Sequence, residues 1–229
     1  MTVASTIDPT MPAIRPAGDP DPAAWLAMAQ RVQALAQAGL AYQPPLFDAE
    51  RYQELLDISH RMLCDLTRIP VTVFEETIAA ERGYPTPKVD VRAVLLRGDE
   101  MLLVREKHDG GRWSLPGGWA DVGCTPCEVA TKEVREETGL EAEALRLLAL
   151  WDKRRHPHPP QAWYVYKAFI LCRVVGGALD ADTAETTEAR WVPRAALAQL
   201  ELSTDRVTLS QLERLFALAG DPSLPAECD

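Results

Sequence analysis

Glu133, Glu136 and Glu137 stand at i, i+3 and i+4 in this chain. On a helix that spacing sends all three carboxylates out from one face. Like charges so close repel, and the ordinary reading of such a face is a solvated acidic surface. Here the segment follows Leu115-Pro116-Gly117-Gly118-Trp119, a glycine turn that can bring bare backbone oxygen close to the same face. Carboxylates joined by a backbone carbonyl make a hard, oxygen-only site suited to Mg²⁺ or Mn²⁺.

The helix that must carry these groups is sharply bounded. Thr125-Pro126-Cys127-Glu128 combines an N-cap, a proline in the first turn and a capping-box glutamate, and Gly139 supplies a C-terminal stop. Around it the period is two. Val89 to Leu95, Gly98-Asp99 and Met101 to Arg105 read as a hairpin. Trp113 to Leu115, Leu145 to Trp151, Trp163 to Val175 and Ala189 to Val192 read as further strands, with helices after Pro193 and over residues 207–219.

Earlier in the chain the pattern is helical. Asp21-Pro22 opens a helix with Trp25, Met28, Val32 and Leu35 on one stripe, ending near Gly39. Asp48 opens a second with Leu55, Ile58, Met62 and Leu66, and Thr72 starts a short third. Helices of this length need a partner surface, which implies a small helical domain with a dimer contact. The expected organisation is a tail over 1–20, a helical domain over 21–82, a proline-stiffened linker over 83–88, an α+β domain over 89–219 with helices on a mixed sheet, and a tail over 220–229.

Composition narrows the function. With 24 basic and 34 acidic residues the net charge is −10, so a nucleic-acid partner is disfavoured, although an enzyme so charged can still bind an anionic substrate where bound cations invert the local field. The five cysteines, at 64, 124, 127, 172 and 228, form no disulfide framework. No apolar run reaches the roughly 18–20 residues of a membrane span, and the N-terminus lacks the features of a signal peptide. These features predict a cytoplasmic protein with no membrane partner.

The stretch Gly118 to Leu140, GWADVGCTPCEVATKEVREETGL, resembles the Nudix box GX5EX7REUXEEXGU, where U is apolar. Gly118, Glu133, Val134, Glu136, Glu137, Gly139 and Leu140 fall in register, while Cys124 replaces the first Glu and Lys132 the Arg. The helical segment, the joint Tyr84 to Arg92, Val104-Arg105-Glu106-Lys107 and His158-Pro159-Pro160 resemble a bacterial Nudix subfamily with an N-terminal helical domain. The resemblance implies a Nudix fold and a homodimer. It also implies hydrolysis of a small nucleoside diphosphate linked to another group X, such as ADP-ribose, CDP-choline or a UDP-linked compound. By the same analogy Gly117 offers a carbonyl, and Glu133, Glu136 and Glu137 bind Mg²⁺, with Mn²⁺ an alternative. Bound ions would neutralise the diphosphate and activate water for in-line attack, releasing a nucleoside monophosphate and phosphorylated X.

A base or water-positioning anion is also required. Glu136 offers one from the helix. Glu185, six residues before Trp191, resembles the place from which relatives bring a further acidic group, with Glu188 second. Arg105, Lys107 and Lys153 are candidates for phosphate contacts, as are Arg154, Arg155 and Lys167, and Trp113, Trp119 or Trp163 for stacking on a base. His156 and His158, among prolines, read as substrate-loop residues or bystanders. Cys124 and Cys127 form a CxxC at a helix N-terminus that reads as two ordinary cysteines. The loss of a carboxylate at 124 defines the alternative function: a Nudix-like sensing module with weak turnover.

Overall fold

The computed structural model describes residues 21–180 and 182–229. The expected tail over 1–20 therefore lies outside the described residues. The chain divides into two compact units, with the boundary between Gly83 and Tyr84.

The first unit contains helices α1 (Pro22–Ala41), α2 (Leu46–Thr67) and α3 (Val71–Thr77). Asp21 caps α1, its carboxylate accepting from the Ala23 N–H at 3.0 Å ahead of the proline turn. The packed face is not the expected stripe. Leu26, Ala29, Gln30, Ala36 and Gln37 of α1, with Leu56, Ser59 and Leu63 of α2 and Phe74 of α3, are the buried residues. Alanine and serine let two helix backbones approach closely, so the small residues go inside. Trp25, Met28, Leu35, Leu55 and Ile58 remain exposed. The two long helices thus have a second apolar face left in water.

The second unit is an α+β fold. Its strands are β1 (Lys88–Arg97), β2 (Glu100–Glu106), β3 (Trp113–Ser114), β4 (Gly117–Trp119), β5 (Leu140–Asp152), β6 (Val165–Gly177), β7 (Thr186–Pro193) and β8 (Glu227–Cys228). They form one mixed sheet in the order β3-β2-β1-β6-β5-β8, with β4 also paired to β1 and β7 to β2. Strand β1 joins its two parts: it runs parallel to β6 over Lys88 to Leu95 and antiparallel to β2 at Leu96 and Arg97.

Alternation along β1 separates two cores. Val91, Ala93 and Leu95 face α4 (Pro126–Thr138), packing with Val129, Ala130 and Val134. Val94 faces the other way, toward Leu212, Leu215 and Phe216 of α5 (Leu209–Gly220). Helices therefore cover both faces, and both use capping boxes: Thr125 with Glu128 for α4, Thr208 with Gln211 for α5. The helix expected after Pro193 is a 3-10 segment, Arg194–Gln199. Residues 220–229, read as a tail, instead carry β8, and the Asp229 carboxylate accepts from the Asp152 N–H at 2.7 Å. A two-residue edge strand has too few alternating positions to be seen in a sequence.

Candidate active site

Helix α4 presents Glu133 and Glu137 to the interior, where both are buried. The loop just before β7 brings Glu185 to them. One carboxylate oxygen from each of Glu133, Glu137 and Glu185 lies within 4.8 Å of the others. Glu136 stands apart, its side chain 41% exposed, with Lys132 at 3.8 Å and Arg135 at 3.9 Å. Helix geometry gives the reason: at about 100° per residue, Glu137 lies about 40° to one side of Glu133 and Glu136 about 60° to the other. The three carboxylates leave one broad face, and only two reach the same point.

The glycine turn is part of this centre. Gly117 and Gly118 lie in β4, where Gly117 pairs with Arg92 and Gly118 with Val91. The Gly117 N–H donates to Glu137 Oε2 at 2.9 Å. A Cβ on Gly117 would stand 2.1 Å from the Val91 carbonyl oxygen, and one on Gly118 3.0 Å from Glu133 Oε1. Both glycines are therefore needed for close approach, and with no side chain at either position the sequence shows a turn where the structure has a strand.

The Glu185 loop is tied down by groups whose part the sequence did not disclose. Lys107 N–H donates to the Glu185 carbonyl at 2.9 Å, and Lys107 Nζ reaches Asp182 at 2.8 Å and the Thr183 carbonyl at 2.5 Å. Thr186 Oγ1 donates to the Glu137 carbonyl at 2.8 Å and shares a 2.9 Å hydrogen bond with Thr183. Glu188 lies in β7 opposite Arg105, with Arg190 at 3.7 Å.

Beneath the turn, on the sheet face away from α4, is a buried network of charges. Arg92 donates through Nε to Asp90 at 2.9 Å and through a terminal nitrogen to the Leu115 carbonyl at 3.1 Å, with Glu106 at 3.5 Å. Lys167 pairs with the other Asp90 oxygen, and Arg206 pairs with Glu106 at 2.5 Å and Asp109 at 2.9 Å. Lys153 is buried here, donating to Gln161 at 2.5 Å with Asp205 at 3.5 Å. Arg105 is exposed and donates to the Gly111 carbonyl at 2.5 Å, bracing the turn that follows β2. His158 Nδ1 meets the Thr204 carbonyl at 2.6 Å, while His156 packs against Trp151. Trp119 is about half exposed and meets Trp163 edge-on; Trp113 is buried in the α5 core.

Electrostatically the centre calls for a cation. Burial pushes the Glu137 carboxyl up to about 8 against the opposing pull of Arg92, with Glu106 adding to the rise and the Gly117 hydrogen bond opposing it. Burial likewise raises Glu133, Lys132 opposing and Glu185 adding. Carboxylates held together in this way are ready to exchange protons for a metal. The spacing fits: with Mg–O distances of about 2.0–2.1 Å, ligand oxygens lie roughly 3 Å apart when cis and 4 Å when trans. Oxygens within 4.8 Å of one another are close to that spacing. Cys124 and Cys127 are both exposed with no disulfide, and Lys132, in the box Arg position, pairs with Asp121 at 2.9 Å. The glutamate cluster forms without a carboxylate at 124.

Both units resemble known proteins. The NUDIX domain family matches residues 86–212, and the family described as a UDP-X-like, N-terminal oligomerisation domain matches residues 23–78. YjhB of Bacillus subtilis, provisionally named an ADP-ribose pyrophosphatase, is 44% identical over 198 residues, covering 86% of this chain and 93% of that protein. The crystal structure of a UDP-X diphosphatase aligns with a TM-score of 0.58 at 29% identity, covering 91% of this chain and 99% of the other. That of an ADP-ribose pyrophosphatase from Streptococcus suis aligns with a TM-score of 0.56 at 36% identity, covering 63% and 100%. With its glutamate helix closed onto a glycine turn and a helical unit ahead of it, this chain belongs to the Nudix hydrolases.

Proposed function

We propose that the protein is a Mg²⁺-dependent pyrophosphatase that cleaves the diphosphate of a nucleoside diphosphate linked to another moiety, of the ADP-ribose type, with CDP-choline and UDP-X compounds in the same class. The observation that carries this reading is the convergence of Glu133, Glu137 and Glu185 within 4.8 Å beside the Gly117 turn. Relatives named for ADP-ribose and UDP-X diphosphates support the substrate class.

Glu133 and Glu137, with the Gly117 carbonyl, would hold Mg²⁺, Mn²⁺ being a possible substitute; Glu136 completes the acidic face nearer solvent. Bound Mg²⁺ supplies charge neutralisation for the diphosphate and an acidified water. Glu185, on a loop rather than on the helix, would orient the attacking water and accept its proton. Gly117 N–H fixes the Glu137 carboxylate, and Lys107 fixes the Glu185 loop. Arg105 and Lys153 act on the substrate site through the turn and the network they hold, and Trp119 contacts the substrate. The products are a nucleoside monophosphate and a phosphorylated X.

The exposed apolar faces of α1 and α2, together with the match to an oligomerisation domain, support a homodimer. Among the described residues no helix is long and apolar enough to cross a membrane. Five free cysteines fit a reducing, cytoplasmic setting. A panel of ADP-ribose, CDP-choline, UDP-sugars and nucleoside triphosphates, followed by ³¹P NMR with Mg²⁺, tests the reading. Monophosphate release from a diphosphate derivative supports it. Tight metal-dependent binding of the panel with no release would favour the sensing module instead.

A further inference from the structure

Trp119 combines three properties. It is 49% exposed, although an indole gains more from burial than almost any other side chain. It is held: Trp163 meets it at 6.3 Å between ring centroids and 76° between planes. It is also adjacent to the glutamates, since the next residue back, Gly118, would bring a Cβ within 3.0 Å of Glu133 Oε1.

The sheet register fixes where the ring starts. Trp119 pairs with Asp90, and Asp90 pairs with Lys167 on its other side. Residues paired across strands share a face, so Trp119, Asp90 and Lys167 form a row on the side away from α4. Gly118 alternates toward α4 and the glutamates. The indole therefore begins one residue from the candidate metal centre, with neighbouring Cα atoms about 3.8 Å apart. That separation suits a ligand whose phosphates lie at the glutamates and whose flat end lies around the edge of β4.

The floor of the row does not compete for a charged ligand. Asp90 and Lys167 are buried and paired with each other, and Arg92 takes the second Asp90 oxygen. What the row presents to a flat ligand is a half-exposed indole in edge-on contact with Trp163. Stacking on an aromatic ring tolerates any base, because every base has a π face.

We propose that Trp119, braced by Trp163, is the platform on which the substrate's nucleobase stacks, so that the site detects the presence of a base more strongly than its identity. This rests on the reading of the centre as one that takes nucleoside diphosphate derivatives. Calorimetry on the full chain with Mg²⁺ tests it, using AMP, CMP, UMP and ribose 5-phosphate as probes against wild type, Trp119→Ala and Trp119→Phe. The alanine variant is expected to bind the three nucleotides about tenfold more weakly, and to raise KM for a nucleotide substrate far more than it lowers kcat. Phenylalanine restores most of the affinity, and ribose 5-phosphate binds all three proteins alike. Wild-type affinities for AMP, CMP and UMP fall within about tenfold of one another.

Equal AMP affinity in wild type and Trp119→Ala overturns the platform, as does a phenylalanine variant as weak as alanine. Trp119-dependent binding of AMP without turnover of any diphosphate derivative leaves the platform standing and removes the hydrolase reading. Turnover of such a derivative with KM independent of Trp119 does the reverse.

Discussion

The Gly117 N–H donates to Glu137 Oε2 at 2.9 Å, linking strand β4 to helix α4 through the backbone of one residue and the carboxylate of another. This bond sets the distance between the glycine turn and the glutamates, and it depends on a missing side chain. A Cβ on Gly117 would lie 2.1 Å from Val91 O and 2.8 Å from Arg92 Cα, both backbone atoms that cannot swing aside. Gly117→Ala is therefore expected to cost about 3 kcal/mol or more. In thermal denaturation that appears as a Tm fall of roughly 6–12 °C. A Tm within about 2 °C of wild type would show that β4 is not held as described.

Proton linkage gives a second prediction. Without metal, Glu137 keeps its proton up to about pH 8, whereas in the unfolded chain it releases it near 4.5. The folded state then binds more protons between those values, and the stability from this group is lost as pH rises through about 8. His158, pushed down to about 4 by burial, and Lys167, pushed down to about 8 by burial, act with the opposite sign. The informative quantity is therefore the difference between wild type and Glu137→Gln. In chelator, the variant should gain on wild type between pH 5 and 8.5, by on the order of 4 kcal/mol at most. Added Mg²⁺ should stabilise wild type alone. Parallel stability curves from pH 5 to 8.5 would contradict the account.

Lys107 is already engaged with Asp182, Thr183 and the Glu185 backbone, so its effect should pass through Glu185. Lys107→Met is expected to lower kcat by about tenfold. In a Glu185→Gln background, itself down by about a hundredfold, the same change should do little more. Additive losses in this double-mutant cycle, with KM raised in both backgrounds, would instead make Lys107 a direct phosphate contact.

The helical unit supplies a fourth prediction. Leu35 and Ile58 are exposed on the outer faces of α1 and α2. Sedimentation at micromolar concentration should find a dimer, and Leu35→Arg with Ile58→Arg should give a monomer of unchanged helicity. A monomeric wild type would remove the dimer.

What could be read from the sequence tracks what each residue contributes locally. Helix α4 was legible to the residue because Thr125, Pro126, Glu128 and Gly139 mark its ends chemically, and its capping box is formed as expected. Strand β4 was hidden because Gly117 and Gly118 have no side chains to show a period, and pairing with β1 supplies the order. The inner faces of α1 and α2 were misread because packing chose Ala29, Ala36 and Ser59 over the larger apolar residues. At the site, spacing alone could not rank Glu136 against Glu137; the direction of the glycine turn decides which one is enclosed. Contacts such as those of Lys107 and Thr186, which join segments far apart in sequence, hold the Glu185 loop against the helix.

The most direct test of the central claim is Mg²⁺-dependent release of nucleoside monophosphate from ADP-ribose by wild type and Glu137→Gln in parallel. The account predicts turnover by wild type that disappears in chelator and falls at least about a hundredfold in the variant. Equal rates in the two proteins, or wild-type turnover indifferent to Mg²⁺, would contradict it.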